Sequence, residues 1–144
     1  MSTIRKIVPL YATSEKGKTP TLCMAIEVLR QVVGVCQEES YNADKDRRAC
    51  FLFDGHVIGI STGGDDGDAI NDSIAFMERN KCEVVLMATR KKSNSGSWSA
   101  VWEYAQRNGV DLNTQVEKDY EADVARQRFV NFRQVLKLLA EVCA

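Results

Sequence analysis

Residues 12–19 read Ala-Thr-Ser-Glu-Lys-Gly-Lys-Thr, which fits the pattern [A/G]-x-x-x-x-G-K-[S/T]. An apolar run from Ile4 to Tyr11 precedes this segment, and a helical pattern starting at Pro20 follows it. That order is strand, glycine-containing turn, helix. Such a turn directs backbone N–H groups at anionic oxygens, with a lysine and a hydroxyl beside them, and the helix that follows presents its positive end to the same point. A nucleotide is the ligand this arrangement predicts.

On these residues, Ala12 to Thr19, the chain resembles the P-loop NTPase superfamily through the Walker A motif. The resemblance rests on one motif and a compatible order of elements; it identifies no family within that group. It implies a nucleotide-binding loop of Ala12, Thr13, Ser14, Glu15, Lys16, Gly17, Lys18 and Thr19. In that loop Lys18 reaches the outer phosphates and Thr19 ligates Mg²⁺. Three residues depart from the commonest pattern. Ala12 stands where glycine is usual, Glu15 brings a carboxylate into a loop meant for anions, and Pro20 falls in the first helical turn, where its missing N–H costs least. These departures keep open a loop that binds without hydrolysing.

With 144 residues, 44% of them hydrophobic, the chain has the size of one domain, residues 1–144. A formal charge of −1 gives no global attraction for nucleic acid or an anionic membrane. Cys23, Cys36, Cys50, Cys82 and Cys143 show no C-x-x-C spacing and read as reduced core residues. His56 opens an expected strand and reads as structural. No apolar run approaches the ~18 residues of a membrane span, so a cytoplasmic protein is expected.

Downstream of the loop, Leu22, Ala25, Ile26, Leu29, Val32 and Val33 form a helical stripe that Gly34 ends. Gln37 to Arg48 is so polar that it reads as a long, ligand-responsive connection. Ala49–Phe53 and Val57–Ser61 read as strands joined at Asp54-Gly55. The cluster Thr62 to Asp68 leads to a helix over Ala69–Arg79, with Asp68 as N-cap and Ile70, Ile74 and Met77 inward. Glu83–Thr89 is nearly continuous apolar, as a strand buried on both faces must be. Trp98, Val101, Trp102 and Ala105 mark a helix stopped by Asn108-Gly109, and both tryptophans are expected in the core. A short strand around Thr114–Lys118 comes next. The last helix, from about Glu121, shows Ala125, Phe129, Phe132, Leu136, Leu139 and Cys143 at helical spacing. The alternation predicts an α/β three-layer sandwich around a largely parallel sheet.

In such a sheet the ligand lies beyond the carboxyl ends of the strands. Three segments should meet there: 12–19, Thr62–Asp68 and Thr89–Gly96. The metal-side carboxylate is Asp65 or Asp54, with Asp65 preferred because Asp54-Gly55 also makes a hairpin turn. Arg90 is the candidate for neutralising transferred phosphoryl charge, while Lys91 and Lys92, like Arg126, Arg128, Arg133 and Lys137, read as solvated basic residues. The expected function is Mg²⁺-dependent ATP use in phosphoryl transfer or hydrolysis, with catalytic roles for Lys18 and Arg90. GTP is the alternative nucleotide, weakened because no Asn-Lys-x-Asp motif is present. As an enzyme it would take a phosphoryl acceptor as partner; the rival is a non-catalytic module that binds a nucleotide or a phosphorylated signal and regulates a protein partner or an assembly such as a homo-oligomer, and an accidental motif in a structural or interaction protein is a third reading.

Overall fold

The computed structural model describes residues 4–12, 18–41, 45–53, 55–63, 67–90, 96–112, 116–118, 120 and 122–143. Ten elements follow in the order β1 (Lys6–Ala12), α1 (Lys18–Val32), β2 (Gly34–Tyr41), β3 (Asp46–Phe53), β4 (His56–Ser61), α2 (Gly67–Arg79), β5 (Val84–Arg90), α3 (Gly96–Arg107), β6 (Val116–Glu117) and α4 (Val124–Cys143). The six strands form one mixed sheet in the order β2-β3-β4-β5-β1-β6. Strands β4, β5, β1 and β6 are mutually parallel, and β3 runs against both β2 and β4. The parallel expectation thus holds for the centre of the sheet and fails at one edge.

Side-chain alternation divides the core between the two faces of the sheet. Val8 and Leu10 of β1, Phe51 of β3, Ile58 and Ile60 of β4 and Leu86 of β5 join Leu22, Ala25, Ile26 and Leu29 of α1 and Val135 and Leu138 of α4. Ile7, Cys50, Val85 and Met87 face the other way, toward Ile70, Ile74, Phe76 and Met77 of α2 and Trp98, Val101 and Tyr104 of α3. Helices α1 and α4 therefore cover one face and α2 and α3 the other. Gly59 permits the closest of these contacts, because a Cβ there would lie 2.8 Å from Cys82 Sγ and collide with Met77. Helix α3 stops as expected: Gly109 has φ 67° and Val110 N–H donates to Ala105 O at 2.9 Å.

Expectations for one connection, one helix face, one tryptophan and one helix cap are corrected. The stretch Gln37–Arg48 is not a connection, since most of it is the β2–β3 hairpin. Ion pairs replace apolar packing there: Arg47 meets both Glu38 and Glu27, Arg48 meets Glu39, and Arg30 meets Glu38. The C-terminal helix turns a different face inward. Asn131, Gln134, Val135, Leu138 and Val142 are buried, while Phe129, Phe132 and Leu136 are exposed. Gln134 belongs inside because its Nε2 donates to Glu117 O of β6 at 2.6 Å, satisfying an edge-strand carbonyl. Finally, Trp98 is buried but Trp102 is exposed, and Asp68 lies inside the first turn of α2 instead of capping it.

The Glu38 pairing makes stability pH-dependent. Burial pushes the Glu38 carboxyl up, but hydrogen bonds and charge from Arg47 and Arg30 outweigh it, and the group sits below the ordinary glutamate range. With the folded value below the unfolded one, the contribution is complete above the unfolded value of about 4.3 and is lost as pH falls through the folded value. Denaturant unfolding should show Glu38→Gln less stable than wild type at about pH 7, with the gap narrowing progressively as pH falls below the ordinary glutamate value of about 4.3. A gap that does not narrow contradicts the assignment.

Candidate functional site

Strand β1 runs into the motif, and its last residue, Ala12, pairs with Arg90, the last residue of β5. From β1 the chain goes to α1 on one face of the sheet. From β5 it goes to α3 on the other. Adjacent strands whose connections leave to opposite faces create the crevice where open α/β sheets bind ligands.

Lys18 opens α1 at this point and is buried, with 6% of its surface exposed. Its Nζ donates to Thr89 O, at the carboxyl end of β5, over 2.8 Å. That bond joins the first turn of α1 to β5. On the far side of Lys18, Thr89 and Ser97 hydroxyls lie 3.1 Å apart, and Ser97 Oγ accepts from the Arg90 N–H at 3.0 Å. The entry to α3 is thereby fixed against the end of β5. Helix α1 has no acidic residue in its first turn, so its positive end is not offset locally.

A second group of oxygens lies beside Thr19. Thr19 Oγ1 is 3.3 Å from Thr62 O, just past the end of β4, and 3.5 Å from Asp46 Oδ1 at the start of β3. Thr62 is fully buried; its hydroxyl donates to Asp46 Oδ1 at 3.0 Å and accepts from the Arg47 N–H at 2.9 Å. The Gly63 N–H donates to the Tyr41 hydroxyl at 2.9 Å, and the Tyr41 ring lies 3.5 Å from the Arg48 guanidinium carbon. Arg48 in turn donates to Ser73 of α2 at 3.0 Å. The hairpin is thus tied to the carboxyl edge of the parallel strands and to α2 by buried and part-buried hydrogen bonds.

Lys18, Thr19 and Arg90 are brought to one edge, as the motif and the strand order predict. Thr13 to Gly17 and Asp65 lie outside the described residues, as do Lys91 and Lys92. Asp54 is outside them too, but its neighbours Phe53 and His56 pair at the amino end of β4, the edge opposite Lys18. His56 Nδ1 there lies 3.0 Å from Glu83 Oε1, in keeping with a structural role. Sequence reasoning missed Asp46, Tyr41 and Lys118, which is buried just past β6 and whose N–H donates to Tyr11 O at 2.9 Å. The polarity of residues 37–48 had disguised the strands that carry the first two. Cys23, half-buried on α1, has its thiol pushed up by burial, against the opposing effect of Arg47, so thiolate chemistry is disfavoured. Among the described residues no set of three or more His, Cys, Asp or Glu is placed to hold a metal by itself, and no helix is long and apolar enough to cross a membrane.

No family model matches the chain, and comparison with curated proteins and with solved structures likewise finds no match.

Thr62 is the joint between hairpin and site. Thr62→Val keeps the shape but strands the Arg47 N–H and removes a donor from Asp46, and unmade buried hydrogen bonds cost about 1–3 kcal/mol. Chemical denaturation should show a loss in that range. A change within about 0.5 kcal/mol, the usual effect of a surface substitution, would mean that Thr62 does not join them.

Proposed function

We propose that this chain is a P-loop nucleotide-binding protein that uses Mg²⁺-ATP in phosphoryl transfer or hydrolysis. The observation that carries this reading is the position of Lys18: a buried ammonium on the first turn of α1, at the crevice between the carboxyl ends of β1 and β5. A lysine is rarely buried without a purpose that repays its desolvation. Here the ammonium donates to the Thr89 carbonyl, a contact it can exchange for phosphate oxygens when an anion enters the crevice.

Placement supports each remaining role. The positive end of α1 favours phosphate, Lys18 binds its outer oxygens, and Arg90, half-buried across from Ala12, faces charge that develops on transfer. The groups beside Thr19 are all oxygens, the donor set a hard cation such as Mg²⁺ takes. A nucleotide-borne Mg²⁺ needs only one or two protein oxygens besides phosphate and water, so no larger cluster is required. When bound, the ion would neutralise phosphate charge. Asp65 keeps its place as a candidate ligand from the segment after Gly63. The same site serves the rival reading, a module in which nucleotide occupancy governs assembly or partner binding. Phosphate release distinguishes the two.

Lys18→Met, which keeps the buried aliphatic stem, should fold and lose most of its affinity for ATP in calorimetric titration, by roughly 10²-fold, as expected for a charge-assisted contact of ~3 kcal/mol. Unchanged affinity in a folded Lys18→Met protein excludes the phosphate-loop reading.

Arg90 tests catalysis. A group acting on developing charge matters more in the transition state than in the ground state. Arg90→Ala should therefore lower phosphate release by roughly 10²-fold while ATP affinity changes far less. Equal losses in rate and affinity would make Arg90 a ground-state ligand, and a wild-type protein that binds ATP and releases no phosphate would be the binding module.

A further inference from the structure

We propose that Asp46, carried to the ligand edge by the antiparallel strand β3, is the carboxylate that holds the divalent cation of the bound nucleotide together with Thr19. The proposal rests on the phosphate-binding reading of Lys18 and Thr19 and adds a residue that lies outside the motif.

Direction of travel places Asp46. Strand β3 runs against β4 with Arg48 opposite Ser61, so the start of β3 meets the carboxyl end of β4 and Arg47 exchanges hydrogen bonds with Thr62. Had the strand before β4 been parallel, its first residue would lie at the opposite edge of the sheet. Asp46 Oδ1 comes within 3.5 Å of Thr19 Oγ1, and Thr62 O comes within 3.3 Å of the same hydroxyl. Three elements thus deliver a carboxylate, a carbonyl and a hydroxyl oxygen to one place. Mg²⁺ in nucleotide sites takes one or two such protein oxygens, with phosphate and water completing the shell.

Gly63 gives an independent indication that this space is shaped. A Cβ built there would collide with the Tyr41 hydroxyl and lie 3.2 Å from Asp46 Cγ, so only glycine leaves Asp46 and Tyr41 their positions. The neighbouring charges are partnered in a consistent way. Arg47 is engaged by Glu38 and Glu27, and Arg48 by Glu39 and the Tyr41 ring, so the two cations next in the chain are directed elsewhere. The thiol of Cys23 and the amine of Lys18 are the other titratable groups α1 carries near this edge, and Lys18 points to Thr89. A cation beside Asp46 would stand next to the phosphates that Lys18 binds.

The test compares ATP affinity with Mg²⁺ present and with the metal chelated. In wild type Mg²⁺ should tighten binding. In Asp46→Asn at least roughly 10-fold of that gain should vanish, the order of effect seen when a group supporting a metal is removed, with the metal-free affinity held within about twofold. Glu39→Gln serves as the structural control, since it loosens the same hairpin by removing the Arg48 ion pair but touches none of the three oxygens. It should keep the Mg²⁺-dependent gain. Loss of the gain in both variants would give Asp46 a merely structural role, and its full retention in Asp46→Asn would overturn the proposal, as would its loss in Asp65→Asn alone. Should Asp46→Asn fail to fold, Mn²⁺-ATP added to the wild-type protein decides the matter. The amide resonances of Asp46 and Thr62 should broaden as strongly as that of Thr19, and unbroadened Asp46 overturns the assignment. A wild-type protein that binds ATP under neither condition rejects the phosphate reading instead, so the two failures are distinct.

Discussion

The pairing of β1 with β5 is the constraint on which everything else depends. The two strands run parallel in unbroken register from Lys6 opposite Val84 to Ala12 opposite Arg90. Both are covered on both faces: Val8, Leu10, Leu86 and Ala88 turn to α1 and α4, and Ile7, Val85 and Met87 to α2 and α3. Each such aliphatic side chain contributes about 1.5–3 kcal/mol by leaving water. Slipping the register by one residue would exchange the two sets and expose each helix pair to a mismatched surface. The same pairing sets the ends of both strands level, so the first turn of α1 meets the end of β5 and Lys18 finds the Thr89 carbonyl.

Elements whose stability comes from local chemistry or apolar burial could be read from the residues alone. The runs Ile4–Tyr11 and Glu83–Thr89, the pairing of Phe53 with His56 and the stop at Asn108-Gly109 are of this kind, as is the stripe on α1 through Leu22, Ala25, Ile26 and Leu29, although Val32, expected on the same stripe, is exposed. The misreadings share a cause. Strand β2 and the start of β3 are held by cross-strand hydrogen bonds and by Glu–Arg pairs, which leave no apolar period to detect. On α4 the residues with the clearest apolar spacing, Phe129, Phe132 and Leu136, are exposed, while Asn131 and Gln134 are inside. Hydrophobicity ranks faces by transfer energy alone, and it misses a glutamine whose burial satisfies the carbonyl of a two-residue strand.

The site divides along the same line. Lys18 and Thr19 are visible because the loop, the lysine and the hydroxyl are contiguous in the chain. Thr62, 43 residues from Thr19, arrives as expected at the carboxyl end of the parallel strand β4, but Asp46, 27 residues away, meets Thr19 only because β3 runs antiparallel to β4. Nothing local in Lys45-Asp46-Arg47-Arg48 marks the aspartate as different from the charges around it. Its place is decided by strand polarity, which apolar patterning does not encode.

Strand polarity also sorts the charges of this edge. Toward β1 and β5 stand Lys18, Arg90 and the positive end of α1; toward β3 and β4 stand the Asp46 carboxylate and the Thr62 carbonyl. Thr19 lies between them, one residue after Lys18 and within hydrogen-bonding distance of the oxygens on the other side. Arg47 and Arg48 would blur this separation if they faced the same point, but each is drawn to glutamates of β2. Among the described residues, cationic groups and the Asp46 carboxylate thus stand on opposite sides of Thr19. An anion alone meets only half of such a surface. On the proposed reading, a phosphate group that carries its own divalent cation would present negative oxygens and a positive metal in the same order, and so match both halves at once.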